Sequence, residues 1–127
     1  MNKYRDKSDF EINLCVAQII FTDSEYDVIK QSMEVVKFQN GGGKGICHVF
    51  DPCNNPADAM PIVFENGISL IKEDDHYIAA STDVGVEGYI GSPELMLYGL
   101  GWLSKDKNLY RAAMICFLMM KDAENES

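Results

Sequence analysis

Residues 39 to 58 read QNGGGKGICHVFDPCNNPAD, which places a lysine among glycines, a histidine beside a cysteine, and two carboxylates within one short stretch. Lys44, His48, Asp51, Asn54, Asn55 and Asp58 are the side chains here that suit a ligand or an interaction patch. Glycine amides can turn toward an anion while lysine supplies charge. A P-loop, however, needs G-x-x-x-x-G-K followed by Ser or Thr and a helix. In this chain Gly45 follows Lys44, and Ile46 to Phe50 reads as extended. Metal is a second option through Cys47, His48, Asp51 and Cys53, with His76 more distant. Structural zinc sites bring ligands as two close pairs, and a single C-x5-C with one adjacent histidine does not build that set. Cys47 and Cys53 also lack any base placed by sequence to activate a thiolate. No catalytic set and no cofactor is therefore expected.

Local geometry is what this stretch does specify. Asn55 suits an N-cap, Pro56 suits the first helical position, and Asp58 puts negative charge at the positive end of a helix. A helix is expected from Pro56, bent at Pro61 or starting a turn later, and ending at Asn66-Gly67. Upstream, Ser8-Asp9-Phe10-Glu11 has the form of a capping box. The apolar spacing from Phe10 to Ile20 predicts a helix ending near Phe21. Tyr26, Ile29 and Met33 have helical spacing, but Glu34 to Phe38 is β-branched and short, as in a strand. Ile68 to Lys72 and His76 to Ser81 flank an acidic turn and predict a β-hairpin.

Residues 82 to 101 hold five glycines and read as a long excursion, with a helical turn at Pro93 to Tyr98. Trp102 is expected on the core. Asn108 caps a helix to Met120 that is apolar on nearly every side except at Arg111. Such a helix must be covered on more than one face, either centrally or partly as the contact surface of a homodimer. Asp122 to Ser127 reads as a solvated acidic tail. Together these elements predict an α+β domain in which helices pack on a small, mostly antiparallel sheet and the hydrophobic C-terminal helix is central.

At 127 residues the chain fits one domain that buries roughly two-thirds of its unfolded surface. Its 46% hydrophobic and 24% charged residues are those of a globular protein. No apolar run is long enough to cross a bilayer, and MNKYRDKSDFE lacks the apolar centre of a signal peptide, so cytoplasm is the expected location and reduced thiols the expected state. Twenty acidic against eleven basic residues give a net charge of −9, which opposes direct binding to nucleic acid.

SDFEIN…VA at 8 to 17, FDPCNNPADAMPIVFENGISL at 50 to 70 and NLYRAAMICFLMM at 108 to 120 resemble the NinX-type proteins of tailed phages and prophages. The resemblance implies phage or prophage origin and action in a bacterial cytoplasm, and it brings no catalytic residues with it. Three functions follow as expectations. The first is a non-enzymatic accessory protein that binds a host or phage protein. The second is a small nucleotide-handling or metal-dependent hydrolase using Lys44, His48, Asp51 and Asp58. The third is an acidic mimic of DNA.

Overall fold

Ser8 opens α1 (Asp9–Ile20) with both halves of the capping box: its Oγ accepts from the Glu11 amide and the Glu11 carboxylate accepts from the Ser8 amide. Ile12, Val16 and Ala17 then fall on one face and are buried there. This structure, a computed structural model, describes residues 3–38, 47–81 and 102–126. The glycine run with Lys44 and the whole of 82–101, including the turn expected at Pro93 to Tyr98, lie outside the described residues.

After α1 come β1 (Tyr26–Ile29), β2 (Glu34–Phe38) and β3 (Cys47–Phe50), an antiparallel sheet in that order. Tyr26 lies opposite Lys37, and Lys37 opposite His48. The strand at 34–38 is as expected, while the helical spacing of Tyr26, Ile29 and Met33 proves incidental. Tyr26–Ile29 instead alternates between half-buried and exposed along a hairpin arm. Next, α2 (Pro56–Glu65) begins at Pro56 itself with Asn55 as N-cap, so Pro61 does not delay its start. Asn66 closes it, and Gly67, at φ +63, turns the chain into β4.

The second sheet joins β4 (Ile68–Lys72), β5 (Tyr77–Ser81) and β6 (Trp102–Asp106), again antiparallel and in that order. The β4–β5 hairpin matches expectation, with Lys72 opposite Tyr77. The fold is α+β as read, but the expected single sheet is two three-stranded sheets. The extra strands are short, and β6 follows the glycine-rich stretch without a repeating pattern of its own.

The last helix, α3 (Leu109–Glu126), packs on β4, β5 and β6 and also meets α1 and α2. Ala112 through Leu118 are all buried, which explains why this helix is apolar around its whole circumference. Trp102 packs against this core, half-buried. Asp122 to Glu126 is not a loose tail at its start, because α3 continues through Glu126. There Lys121 pairs with Glu124 at 3.3 Å, and Asp122 accepts a 2.5 Å hydrogen bond from the Tyr4 hydroxyl. Among the described residues no helix is long and apolar enough to cross a membrane.

Candidate functional site

The N-termini of α1, α2 and α3 meet at one corner of the molecule. Asp9 is the first residue of α1, Asn55 caps α2, and Asn108 caps α3 by accepting from the Tyr110 and Arg111 amides at 2.9 and 3.2 Å. Each helix start carries about half a positive charge, and three together repel. Four carboxylates, those of Asp9, Asp51, Asp58 and Asp106, stand among them, with Arg111 and Lys37 as the accompanying cations.

Arg111 is the hub of this corner. Its Nη1 donates to Asp9 at 2.7 Å and its Nε to Asp106 at 2.9 Å. Its Nη2 donates to the Arg5 and Lys7 carbonyls at 3.0 and 2.6 Å. A guanidinium presents its donors in a planar fork and so can serve four acceptors at once. Asn54 extends the network, donating to Asp9 at 3.0 Å and to both oxygens of Asp51, and accepting from Asn108 at 2.9 Å.

Asn13, buried on α1, donates to Asp51 at 2.7 Å and accepts from the Cys53 amide at 3.1 Å. Asp58 accepts from the Asp51 amide at 2.9 Å and pairs with Lys37 at 3.6 Å, its own side chain only 6% exposed. Cys53 is buried beneath this network, and burial first, then the nearby Asp9 charge, pushes its thiol well above the ordinary range. A thiol so raised is a poor nucleophile.

Of the six residues singled out in the sequence, the structure unites Asp51, Asn54 and Asp58 and gives Asn55 a capping role, its Oδ1 accepting from the Ala57 amide at 3.0 Å. His48 lies exposed on β3, opposite Lys37. Lys44 falls outside the described residues. Cys47 is exposed while Cys53 is buried, and His76 sits in the β4–β5 turn between Glu73 and Asp75, 2.9 Å from each. Among the described residues no group of three His, Cys, Asp or Glu side chains is placed to hold a metal ion. Sequence reasoning missed Asp9, Asn13, Lys37, Asp106, Asn108 and Arg111 as partners. Two of them carried a signal: Arg111 is the lone charge within an apolar stretch, and Asn13 interrupts the apolar face of α1.

Beside this network lies an open cleft of about 140 Å³. Phe10, Met33, Val35, Val49 and Phe50 supply its apolar wall, and Asp9, Glu34 and Asp51 its acidic rim. Met33 and Val49 are 57% and 47% exposed. Met33 also holds φ at +56, a left-handed conformation that costs a side-chain-bearing residue roughly 1 kcal/mol.

Set against known proteins, residues 3–121 match the sequence model of the family described as Bacteriophage P22, NinX. No curated protein and no solved structure matches the chain.

Proposed function

The chain belongs to the phage P22 NinX family, and from that premise we propose that it is a non-enzymatic accessory module that binds a host or phage protein in the bacterial cytoplasm. One observation carries the reading. The donors and acceptors of Asp51, Asn54 and Asp58, the residues best suited to hold a ligand, are committed to one another and to the three helix starts. Their chemistry is used to build the corner, and what that corner offers outward is the cleft between β3 and α1.

That cleft suits a protein partner. Its apolar wall with an acidic rim complements a segment carrying apolar and basic side chains, and a chain of net charge −9 draws such a segment in from a distance. Met33 adds a second support. A glycine or asparagine would relieve the turn, yet a long apolar side chain is held there in a strained conformation and left in solvent. Strain kept at a surface position points toward use.

Capture from host lysate on the immobilised chain tests this, comparing wild type with Met33→Gly and Val49→Lys. Met33→Gly relaxes the turn, so its stability should stay level or rise by up to about 1 kcal/mol. A saturable partner retained by wild type and lost by both variants is the expected result. Lack of any saturable partner, or one indifferent to both substitutions, would reject the reading.

A further inference from the structure

Among the described residues β3 is an edge of the first sheet, and the direction of its backbone bonds follows from its neighbours. Antiparallel pairing alternates between residues that exchange both backbone hydrogen bonds and residues that exchange none. The Phe38 amide donates to the Glu25 carbonyl at 3.0 Å, so Glu34, Val36 and Phe38 of β2 face β1. Val35 and Lys37 therefore bond across to Phe50 and His48, while Cys47 and Val49 turn their amides and carbonyls away from the sheet. Asp51 is next in that outward series, and its amide donates to Asp58 at 2.9 Å, as this direction requires.

Elsewhere on this sheet an outward amide is covered by a carboxylate. At the opposite edge Asp27 takes the Val28 amide at 2.8 Å, and Asp58 does the same for Asp51. Such cover occupies the donor that a foreign strand would use, and charged residues or proline on an edge serve the same end. Cys47-His48-Val49-Phe50 has no lysine, acid or proline, and Cys47, His48 and Val49 are all exposed, so both faces of β3 stand in solvent there. Charge narrows what could pair with it. Among the described residues Asp51, beyond the end of β3, and Glu34, on β2, accept hydrogen bonds only from the neutral side chains of Asn13, Asn54 and Ser32. Neither has a cation, in a chain of net charge −9.

We propose that the partner is held by strand addition, an inference that rests on the chain binding a protein. An extended segment of the partner, with basic and apolar side chains in alternation, pairs with Val49 and Cys47 and becomes the next strand after β3. Val49 also lines the cleft beside α1, so the same segment sets its apolar side chains by Val49 and its basic ones against the acidic rim. Main-chain bonds then supply the grip, and the side chains supply the choice of partner.

Backbone amide NMR and hydrogen exchange on the full chain test this, with the acetylated and amidated peptide KVRVK as probe and its fully N-methylated counterpart as control. Titrated to about 5 mM, where a millimolar site is mostly filled, the first should give saturable shifts centred on residues 47 to 49 and slow the exchange of the Val49 amide. The control has the same side chains and no amide donors, and should give neither effect. Val49→Pro removes a donor that the ladder does not use, at an edge position where proline is tolerated, and should weaken the peptide by about tenfold, the scale of one lost hydrogen bond. Val49→Thr keeps the amide and the branched shape, and should bind as wild type does. Equal binding of the N-methylated peptide, unchanged affinity in Val49→Pro, or no saturable shift would each overturn strand addition. So would shifts at 47 to 49 that depend on protein concentration without peptide, which would give the edge to a second copy of the chain. In the lysate capture, a partner lost in Met33→Gly and Val49→Lys but kept in Val49→Pro overturns strand addition and leaves a protein partner standing. Peptide shifts without any saturable lysate partner would support the edge and reject that partner.

Discussion

At the scale of single residues, Arg111 decides whether the corner of helix starts holds. Its side chain is 13% exposed and serves two carboxylates and two carbonyls. Removing it leaves Asp106, 21% exposed, and Asp9, 43% exposed, without their cation and two carbonyls without their donor, a loss larger than the pairs themselves contributed but screened by solvent at Asp9. Arg111→Ala is therefore expected to lose about 2 kcal/mol in urea unfolding. Arg111→Lys should recover less than half of that, since an ammonium is a point charge with three donors and cannot reach four acceptors in a plane. Full rescue by lysine would mean that charge alone holds the corner. Asp51, Asn54 and Asp58 were legible in the sequence as crowding one helix start. Their partners were not, because Asn13 lies 38 residues from Asp51 and Arg111 lies 102 from Asp9, and no local pattern encodes a contact of that span.

Elements were legible where the chain announces its own ends. The capping box of α1, the Asn-Pro start of α2 and the Asn-Gly stop after it are local chemistry, and the structure keeps all three. Hidden elements lacked such marks. The β1–β2 turn places Met33 in a conformation usually given to Gly or Asn, so the hairpin carries no turn signature. The final turns of α3 read as a polar tail because what holds them is distant, the Tyr4 hydroxyl bonded to Asp122. Gly67 tests the local kind of signal cleanly. It holds φ +63 between α2 and β4, and an added Cβ would meet nothing within 4 Å. Alanine there adds no clash, only the left-handed strain of about 1 kcal/mol, which lowers the melting temperature by about 4 °C in a domain of this size. Gly67→Asn should lose less, because asparagine tolerates that region. An unchanged melting temperature for Gly67→Ala would show that φ at this link relaxes.

Across the whole molecule, stability should fall on both sides of neutral pH, through different groups. Glu11 and Glu25 have carboxyls below the ordinary range because they accept hydrogen bonds at Ser8 and Thr22, and Asp75 is lowered by His76. A carboxyl depressed on folding contributes stability that is present above its unfolded value, about pH 4 to 4.5, and disappears as pH falls through the lower folded value. The capping box of α1, the turn at Thr22 and the β4–β5 turn should thus weaken together in acid. Tyr4 and Cys53 act in the opposite sense. Burial raises both, reinforced at Tyr4 by the bond to Asp122 and at Cys53 by the Asp9 charge. Their contribution is complete below the unfolded values, about 8.5 for a thiol and 10 for a phenol, and is lost as pH rises beyond them. Urea midpoints measured at about pH 3, 6.5 and 10 should therefore be highest in the middle. Cys53→Ala and Tyr4→Phe should flatten the alkaline limb and leave the acid limb unchanged, whereas Glu11→Gln should flatten the acid limb alone. Moving toward pH 4.5 also relieves the self-repulsion of a chain at −9, which works against the acid loss. An acid limb that steepens in high salt, where that repulsion is already screened, separates the local carboxylate bonds from the charge of the molecule as a whole.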